Sequence, residues 1–255
     1  MEKKITQIKL ELKNCPDEQL TSFIEEYGKD ERSAVRSLVD SAGKRYEKYL
    51  AELERTEVMS EYERLYRDYG LICGIDEVGR GPLAGPVYAC AVILDPKKRL
   101  LYLNDSKKLS PKKREELYDI IMENALAVGT GHVDNERIDE INILQATYEA
   151  MRMAIQNLSR KPDILLNDAV TIPGVDIKQV PIIKGDAKSV SIAAASIVAK
   201  VTRDRVMVAY DREYPQYGFA SNKGYGSAGH IEALRKFGPS PLHRKGFIKE
   251  LLQNK

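Results

Sequence analysis

Four acidic residues follow apolar runs that are typical of strands in a sheet. Asp76 and Glu77 come directly after one such run, and Asp168 and Asp186 stand at or just past the ends of two later ones. In open α/β sheets, ligands bind beyond the carboxyl ends of the strands. A single Asp after a strand is usually part of a turn, but three such placements together predict a shared acidic site.

Carboxylates without interleaved His or Cys favour Mg²⁺ or Mn²⁺ over zinc. Two such ions, about 4 Å apart, can activate water and stabilise a leaving oxygen in phosphodiester cleavage. Because neighbouring side chains in a strand face opposite ways, Asp76 and Glu77 can share a site only if the strand ends or bends between them. The glycines that follow in GIDEVGRGPLAG allow such a bend.

An arginine flanked by two glycines comes next, as Gly79, Arg80 and Gly81. The glycines let the backbone approach a ligand closely, and Arg80 offers a fixed charge to a phosphate or to the 2′ side of a sugar. Taken alone, Gly-Arg-Gly is a weak pattern that is usually a turn.

Other polar residues give weaker signals. Lys107 and Lys108 in NDSKKLS could contact phosphates or could be ordinary surface lysines. The three histidines, His132, His230 and His243, lie in different segments. Their spacing indicates no acid–base pair of the kind that a metal-independent ribonuclease needs.

The chain has two parts that differ in pattern. Residues 1–70 are predicted to form a helical extension, with helices after Pro16, over Arg32–Val39 and within the charged stretch Lys44–Asp68. Residues 71–255 are predicted to form an α/β domain whose sheet is antiparallel at its start and parallel later. Its expected strands are Leu71–Ile75, Val87–Leu94, Ala127–Val133, Asp163–Asn167 and Gln179–Ile183. Its expected long helices start at Ser110–Pro111, Ile138 and Val190.

Composition places the chain among ordinary globular proteins. It has 255 residues, 43% of them hydrophobic, and a net charge of +2, with most of the basic excess in residues 175–255. Its three cysteines are scattered, which favours reduced thiols and a cytoplasmic location. The first residues do not resemble a signal peptide, and no apolar run is long enough to cross a membrane. A monomer is expected.

Five motifs occur in order between about residue 71 and Phe247. They are GIDEVGRGPLAGP, NDSKKLSPKKRE, LLNDAV, KGDAKSVSIAAASIVAKVTRDR and YPQYGFASNKGYGSAGH. With these motifs the chain resembles bacterial ribonuclease HII, the type 2 ribonuclease H family.

The resemblance implies a ribonuclease H-like mixed sheet flanked by helices. It also implies metal-dependent endonucleolysis of RNA in RNA/DNA hybrids, with incision on the 5′ side of single ribonucleotides in duplex DNA that leaves 5′-phosphate and 3′-hydroxyl ends. By motif position, the catalytic acids and ligands of Mg²⁺ or Mn²⁺ are Asp76, Glu77, Asp168 and Asp186. The residues implied to bind the substrate are Gly79, Arg80 and Gly81 around the ribose, Tyr225 at the RNA–DNA junction, and Lys107 and Lys108 on phosphates.

Two alternatives remain open on the residues. Another two-metal nuclease of the same fold, such as a junction resolvase, would cut all-DNA substrates. A non-catalytic module that binds hybrids through the basic last third of the chain would show salt-sensitive binding, no dependence on metal and no products.

Overall fold

The computed structural model describes residues 3–253, without the side chain of Gln253. The chain forms two compact units, Met1–Val58 and Met59–Lys255. The sequence placed a domain boundary at residue 70, and that boundary stays a prediction. No helix among the described residues is long and apolar enough to span a membrane.

The first unit is helical, as the sequence predicts. Its helices are α1 (Ile5–Asn14), α2 (Leu20–Tyr27) and α3 (Ser33–Met59), the last of which continues one residue past the unit. Their shared core contains Ile8, Leu20, Phe23, Val35 and Ala42.

One expectation for this unit was wrong. Helices were predicted over Arg32–Val39 and within Lys44–Asp68, but α3 runs without a break through Gly43. A glycine inside a helix costs only about 1 kcal/mol relative to alanine. Burial of Val35 and Ala42 in the same core offsets that cost.

The second unit is built on one five-stranded sheet. Its strands are β1 (Ile72–Val78), β2 (Val87–Leu94), β3 (Ala125–Val133), β4 (Ile164–Asp168) and β5 (Lys178–Ile182). They lie in the order β3-β2-β1-β4-β5. The pairs β1–β2 and β2–β3 are antiparallel, and the pairs β1–β4 and β4–β5 are parallel. The predicted mixed sheet is confirmed.

Helices cover the sheet from both sides. The longer ones are α5 (Pro111–Asn124), α6 (Asn135–Gln156) and α7 (Val190–Glu213), and the shorter ones are α4 (Glu61–Leu65), α8 (Phe219–Asn222), α9 (Ala228–Phe237) and α10 (Lys245–Gln253). Helix α6 contributes Ala150 and Met151 to one apolar cluster, whereas α5 and α7 contribute to another that includes Leu117 and Ile197.

Close packing of α7 on β1 depends on Gly74. A Cβ atom at this position would lie 2.1 Å from the backbone of Ser191, a distance that no side chain tolerates. The alanines Ala193, Ala194 and Ala195 are fully buried and keep α7 close to the sheet. The helix that follows Asp186 in sequence is therefore fixed tightly against the strand that carries Asp76.

The three cysteines are free thiols. Cys73 and Cys90 are buried in the sheet, and burial raises the pKa of both thiols. A buried thiol with a raised pKa is a poor nucleophile at neutral pH, which is typical of a packing role.

Candidate active site

Sheet register brings the first and third predicted acids together. In the parallel pair of β1 and β4, Ile75 lies opposite Asn167. The next residue on each strand is an acid, Asp76 on β1 and Asp168 on β4. Parallel strands have their carboxyl ends at the same edge of a sheet, so the placement of these acids follows from the lengths of the two apolar runs.

Glu77 differs from the expectation in one respect. Strand β1 does not end after Asp76, because its pairing with β2 continues through Glu77 and Val78. Its pairing with β4, however, ends at Ile75. β1 therefore has no partner on the β4 side at Asp76 and Glu77, and both carboxyl groups lie close enough to Asp168 for its charge to act on them.

The carboxyl groups of Asp76 and Glu77 are costly to ionise in this position. Asp76 is 6% exposed, and burial together with the charge of Glu77 raises its pKa well above the usual value. Burial also raises the pKa of Glu77, against the opposing effect of Arg80. The charge of Asp168 acts in the same direction on both. Mutual repulsion of this kind is typical of acids that share a cation.

The fourth acid, Asp186, lies in the short 3-10 turn Gly185–Ala187 between β5 and α7. The N–H of Gly185 donates to Oδ1 of Asp168 at 2.7 Å, which ties this turn to the end of β4. The backbone is left-handed at Lys184, with φ of 58°, and at Ala169, with φ of 57°. Such φ values are uncommon outside glycine and cluster at functional sites, and here they adjoin two of the predicted acids.

A fifth acid, Asp105, was not singled out from the sequence. It acts electrostatically on Asp186, so the two carboxyl groups lie close together. Burial raises the pKa of Asp186, and the charges of Asp105 and Asp168 raise it further, whereas Lys107 lowers it. The sequence offered one indication of this residue, because Asp105 stands in the motif NDSKK shortly before the two lysines. We call Asp76, Glu77, Asp105, Asp168 and Asp186 the acid cluster.

Both lysines of NDSKK are exposed, and Lys107 lies among the charges of the acid cluster. Burial lowers the pKa of Lys107, but the charges of Asp105, Asp76 and Asp186 outweigh it and raise the pKa overall. Lys107 therefore stays protonated beside the acid cluster. Lys108 is exposed on the same turn.

Glu63 holds the start of α7 and was also missed. It accepts hydrogen bonds from Oγ of Ser189 at 2.5 Å and from the N–H of Ser191 at 2.9 Å. Oγ of Ser189 in turn accepts from the N–H of Ile192 and caps α7. Burial raises the pKa of Glu63. Nothing in its sequence environment distinguishes Glu63 from the other charged residues of α4.

Arg80 lies next to the acid cluster. Its Nη1 is 3.3 Å from Oε1 of Glu77, and its side chain is 43% exposed. Gly79 has φ of 90°, and a Cβ there would lie 2.2 Å from Nε of Arg203. Only glycine fits this position, which explains the first glycine of Gly-Arg-Gly.

Tyr225 lies beside the other glycine of the motif. A Cβ added to Gly81 would be 3.9 Å from Cε1 of Tyr225, so the ring and the glycine are in van der Waals range. The ring is 41% exposed. We call the segments Gly79–Gly81 and Gly224–Tyr225, which the resemblance predicts to contact the sugar, the two sugar loops.

Two histidines form a pair that their spacing did not indicate. Nε2 of His230 lies 3.0 Å from Nε2 of His243. Both rings are buried, at 0% and 2% exposed, and they pack against Tyr217 and Phe219. The sequence indicated no acid–base pair and did not predict this contact, and burial keeps the two rings from reaching a substrate.

The acid cluster does not form a ready-made ion site. Within residues 3–253, no three His, Cys, Asp or Glu side chains are arranged to hold a metal ion together. Its donors are nevertheless all carboxylate oxygens, and burial with like-charge repulsion raises the pKa of three of them. A hard divalent cation fits such a donor set better than zinc does.

A mixed sheet of this order, with acids at neighbouring strand ends, defines a ribonuclease H-like fold. A crystal structure of a ribonuclease H2 from Pyrococcus horikoshii OT3 matches the chain with a TM-score of 0.60 at 28% sequence identity, covering 71% of this chain and 97% of that one. The match supports the same class.

The family follows from two further comparisons. The model of ribonuclease HII matches residues 73–250, and that of the ribonuclease HII N-terminal domain matches residues 4–67. Ribonuclease HII of Lachnoclostridium phytofermentans is 63% identical over 97% of this chain and 98% of its own length. Ribonuclease HII of Bacillus subtilis is 55% identical over 95% of each chain. The chain belongs to the ribonuclease HII family, and it is an endonuclease with ribonuclease H activity on RNA/DNA hybrids.

Proposed function

We propose that this enzyme also incises duplex DNA on the 5′ side of single embedded ribonucleotides, leaving 5′-phosphate and 3′-hydroxyl ends. The observation that carries the proposal is the direct neighbourhood of the acid cluster and the two sugar loops. Arg80 pairs with Glu77, and Tyr225 lies beside Gly81. Groups that could bind a cation and groups that could read a ribose are therefore available to one nucleotide.

We propose that Asp76, Glu77, Asp168 and Asp186 hold Mg²⁺ or Mn²⁺, with Asp105 beside them. When bound, the cation would neutralise these acids and supply Lewis acidity at the scissile phosphate. The raised pKa values of Asp76, Glu77 and Asp186 support this assignment, because burial and neighbouring carboxylates make ionisation costly and a bound cation would offset that cost.

The remaining polar groups are assigned to substrate binding. Lys107 is protonated and faces the acid cluster, where it can contact a phosphate without competing with the acids for a cation. Lys108 extends the same basic surface. The backbone around Gly79 and Gly81 can approach the 2′-hydroxyl, Arg80 provides a charged donor, and the exposed ring of Tyr225 can stack on the sugar or base.

The test uses three matched duplexes that carry zero, one or four consecutive ribonucleotides, with the full chain in Mg²⁺, in Mn²⁺ and with chelator. We expect no cleavage of the all-DNA duplex, metal-dependent cleavage of the other two, and products whose 5′ ends are phosphorylated. Cutting of all-DNA duplexes would favour a nuclease of junction-resolvase type, and binding without products in either metal would favour a non-catalytic module.

A matched pair of variants tests the phosphate contacts. Lys107→Ala should weaken cleavage and reduce its dependence on salt, because Lys107 lies among the charges of the acid cluster, and Lys108→Ala should do so less. Equal effects of the two variants would contradict the distinction. The monomeric state, the cytoplasmic location and the separate helical extension of residues 1–70 stay predictions from the sequence.

A further inference from the structure

The buried histidine pair has a defined pattern of donors and acceptors. Nδ1 of His230 lies 2.8 Å from the carbonyl oxygen of Tyr225, and a carbonyl can only accept, so this nitrogen carries the hydrogen. The other nitrogen of a neutral His230 is then an acceptor. Nε2 of His243 must donate to it across 3.0 Å.

The hydrogen bond at the other ring nitrogen of His243 agrees with this assignment. Nδ1 of His243 accepts from the backbone N–H of Ser240 at 3.0 Å, which agrees with a hydrogen on its Nε2. The hydrogen bonds therefore run in one direction, from Ser240 through His243 and His230 to the carbonyl of Tyr225. Every ring nitrogen is used, and no ring nitrogen is left to act on a substrate.

The segment that carries His243 also contacts the sugar loop Gly79–Gly81. Its next residue, Arg244, is fully buried and donates to the carbonyl oxygens of Gly79 at 2.6 Å, Arg80 at 2.8 Å and Gly85 at 2.8 Å. Backbone hydrogen bonds add to this, since the N–H of Arg244 donates to Leu83 at 2.9 Å. Residues 240–244 thus contact Gly79–Gly81 directly and reach Gly224–Tyr225 only through His230.

The sugar loops themselves come from distant parts of the chain, and Gly81 lies within van der Waals range of the Tyr225 ring. One backbone hydrogen bond, from Leu83 to Gly224 at 2.8 Å, joins the neighbourhoods of the two loops. At Gly224, φ is 84° and a Cβ would lie 2.4 Å from the carbonyl oxygen of Ala84. The carbonyl of Tyr225 is therefore the point at which the histidine pair can set how the ring stands relative to Gly81.

We propose that His230 and His243 are positioning residues that fix Tyr225 against Gly79–Gly81 and thereby set the preference for single ribonucleotides. This inference rests on the proposed role of Tyr225. Neither histidine touches the substrate, and their effect passes through the main chain of the loop. Small displacements of a positioned group can cost a large factor in rate, and the cost falls on substrates that need that group.

The experiment measures kcat and KM on duplexes with one and with four ribonucleotides for the wild type, Tyr225→Ala, His230→Leu and His230→Asn. Tyr225→Ala should lower the ratio of kcat/KM for one ribonucleotide to that for four. His230→Leu should lower the same ratio by about tenfold, mainly through kcat. His230→Asn should retain most of it, because its amide N–H can still reach the carbonyl of Tyr225.

The matched control is His132, which is exposed on β3 and stacks on Tyr88. His132→Leu should leave the ratio unchanged. A wild-type ratio in His230→Leu, with a shifted ratio in Tyr225→Ala, would overturn the inference alone. An unchanged ratio in Tyr225→Ala would instead overturn the proposed role of that tyrosine, and the inference with it.

A measurement on the wild-type enzyme keeps the test independent of variant folding. Nitrogen NMR of the histidines at neutral pH should find His230 with its hydrogen on Nδ1 and His243 with its hydrogen on Nε2. The opposite tautomers, or a charged His230, would break the described chain of hydrogen bonds and overturn the inference.

Discussion

The acid cluster and the two sugar loops lie side by side, but the chain positions them by different means. Asp76 and Asp168 are placed by the backbone register of β1 and β4. The sugar loops have no such ladder at Gly79 and Tyr225, and buried side chains donate to their carbonyl oxygens instead. The acids are thus held by regular structure and the loops by individual polar contacts.

The two regions also differ in what their charges do. In the acid cluster, like charges accumulate and raise the pKa of Asp76 and Glu77. Behind the sugar loops, Arg244 is buried among carbonyl groups, and burial lowers its pKa to about 9. The comparison teaches that the first region gathers like charges at a cost in stability, whereas in the second region the buried guanidinium of Arg244 stabilises loops that lack secondary structure.

The largest effect should come from Asp76→Asn. Activity in Mg²⁺ or Mn²⁺ should fall by about 10³-fold, since one ligand of the proposed cation is lost. In chelator, the thermal midpoint should rise, because a buried carboxyl that repels its neighbours becomes neutral. Single-turnover cleavage measures the loss of activity, and thermal melting in chelator measures the rise of the midpoint.

The control for this variant is Asp176→Asn, which changes an exposed acid of the same unit. It should alter neither activity nor melting. Full activity in Asp76→Asn, or in Asp168→Asn, would contradict the assignment of the acids.

Arg244→Met should give the largest loss of stability among the sugar-loop variants. It leaves the carbonyl oxygens of Gly79, Arg80 and Gly85 without their buried donor. Since each unsatisfied buried group costs about 1–3 kcal/mol, the free energy of unfolding should fall by about 3 kcal/mol or more. Denaturant titration measures this, with the exposed Arg235→Met expected to change little.

Acid should weaken the region behind the sugar loops. Burial, together with the repulsion that His230 would exert on a protonated neighbour, lowers the pKa of His243 from 6.5 to about 4. Between those pH values the unfolded chain binds a proton that the folded chain does not. The free energy of unfolding should therefore fall as the pH falls from about 6.5 to about 4, by up to about 3 kcal/mol.

Denaturant titrations at several pH values test this dependence. His243→Gln should have a shallower slope in that window than the wild type, and the exposed His132→Gln should keep the wild-type slope. A wild-type slope in His243→Gln would show that the acid sensitivity arises elsewhere.

The smallest effect is expected at Glu63. This residue stabilises the start of α7, next to the acid cluster, by individual hydrogen bonds and not by strand pairing. Glu63→Ala removes the acceptor for Ser189 and Ser191 at the start of α7 and should cost about 1–2 kcal/mol. Glu63→Gln keeps an acceptor oxygen and should cost less. Thermal melting checks the order, with the exposed Glu61→Ala as the control on the same helix. Equal losses in the Ala and Gln variants would argue against hydrogen bonding as the cause.

The strands that carry the acid cluster were predicted well from the sequence. Strand β2 begins and ends where the apolar run Val87–Leu94 does, and the runs before Asp76 and Asp168 also became strands. Apolar runs set where strands end, and parallel pairing then aligns those ends. A linear pattern was therefore enough to predict that distant acids meet.

The side-chain hydrogen bonds behind the sugar loops are evident only from the tertiary structure. His230 and His243 are thirteen positions apart without a helical or strand period between them, and Arg244 reaches carbonyl groups more than 150 positions away. Asp105 and Glu63 likewise act across the fold. A carbonyl group requires a protein donor only after packing of the loops has removed its water. No periodicity in the sequence shows which carbonyl groups these are.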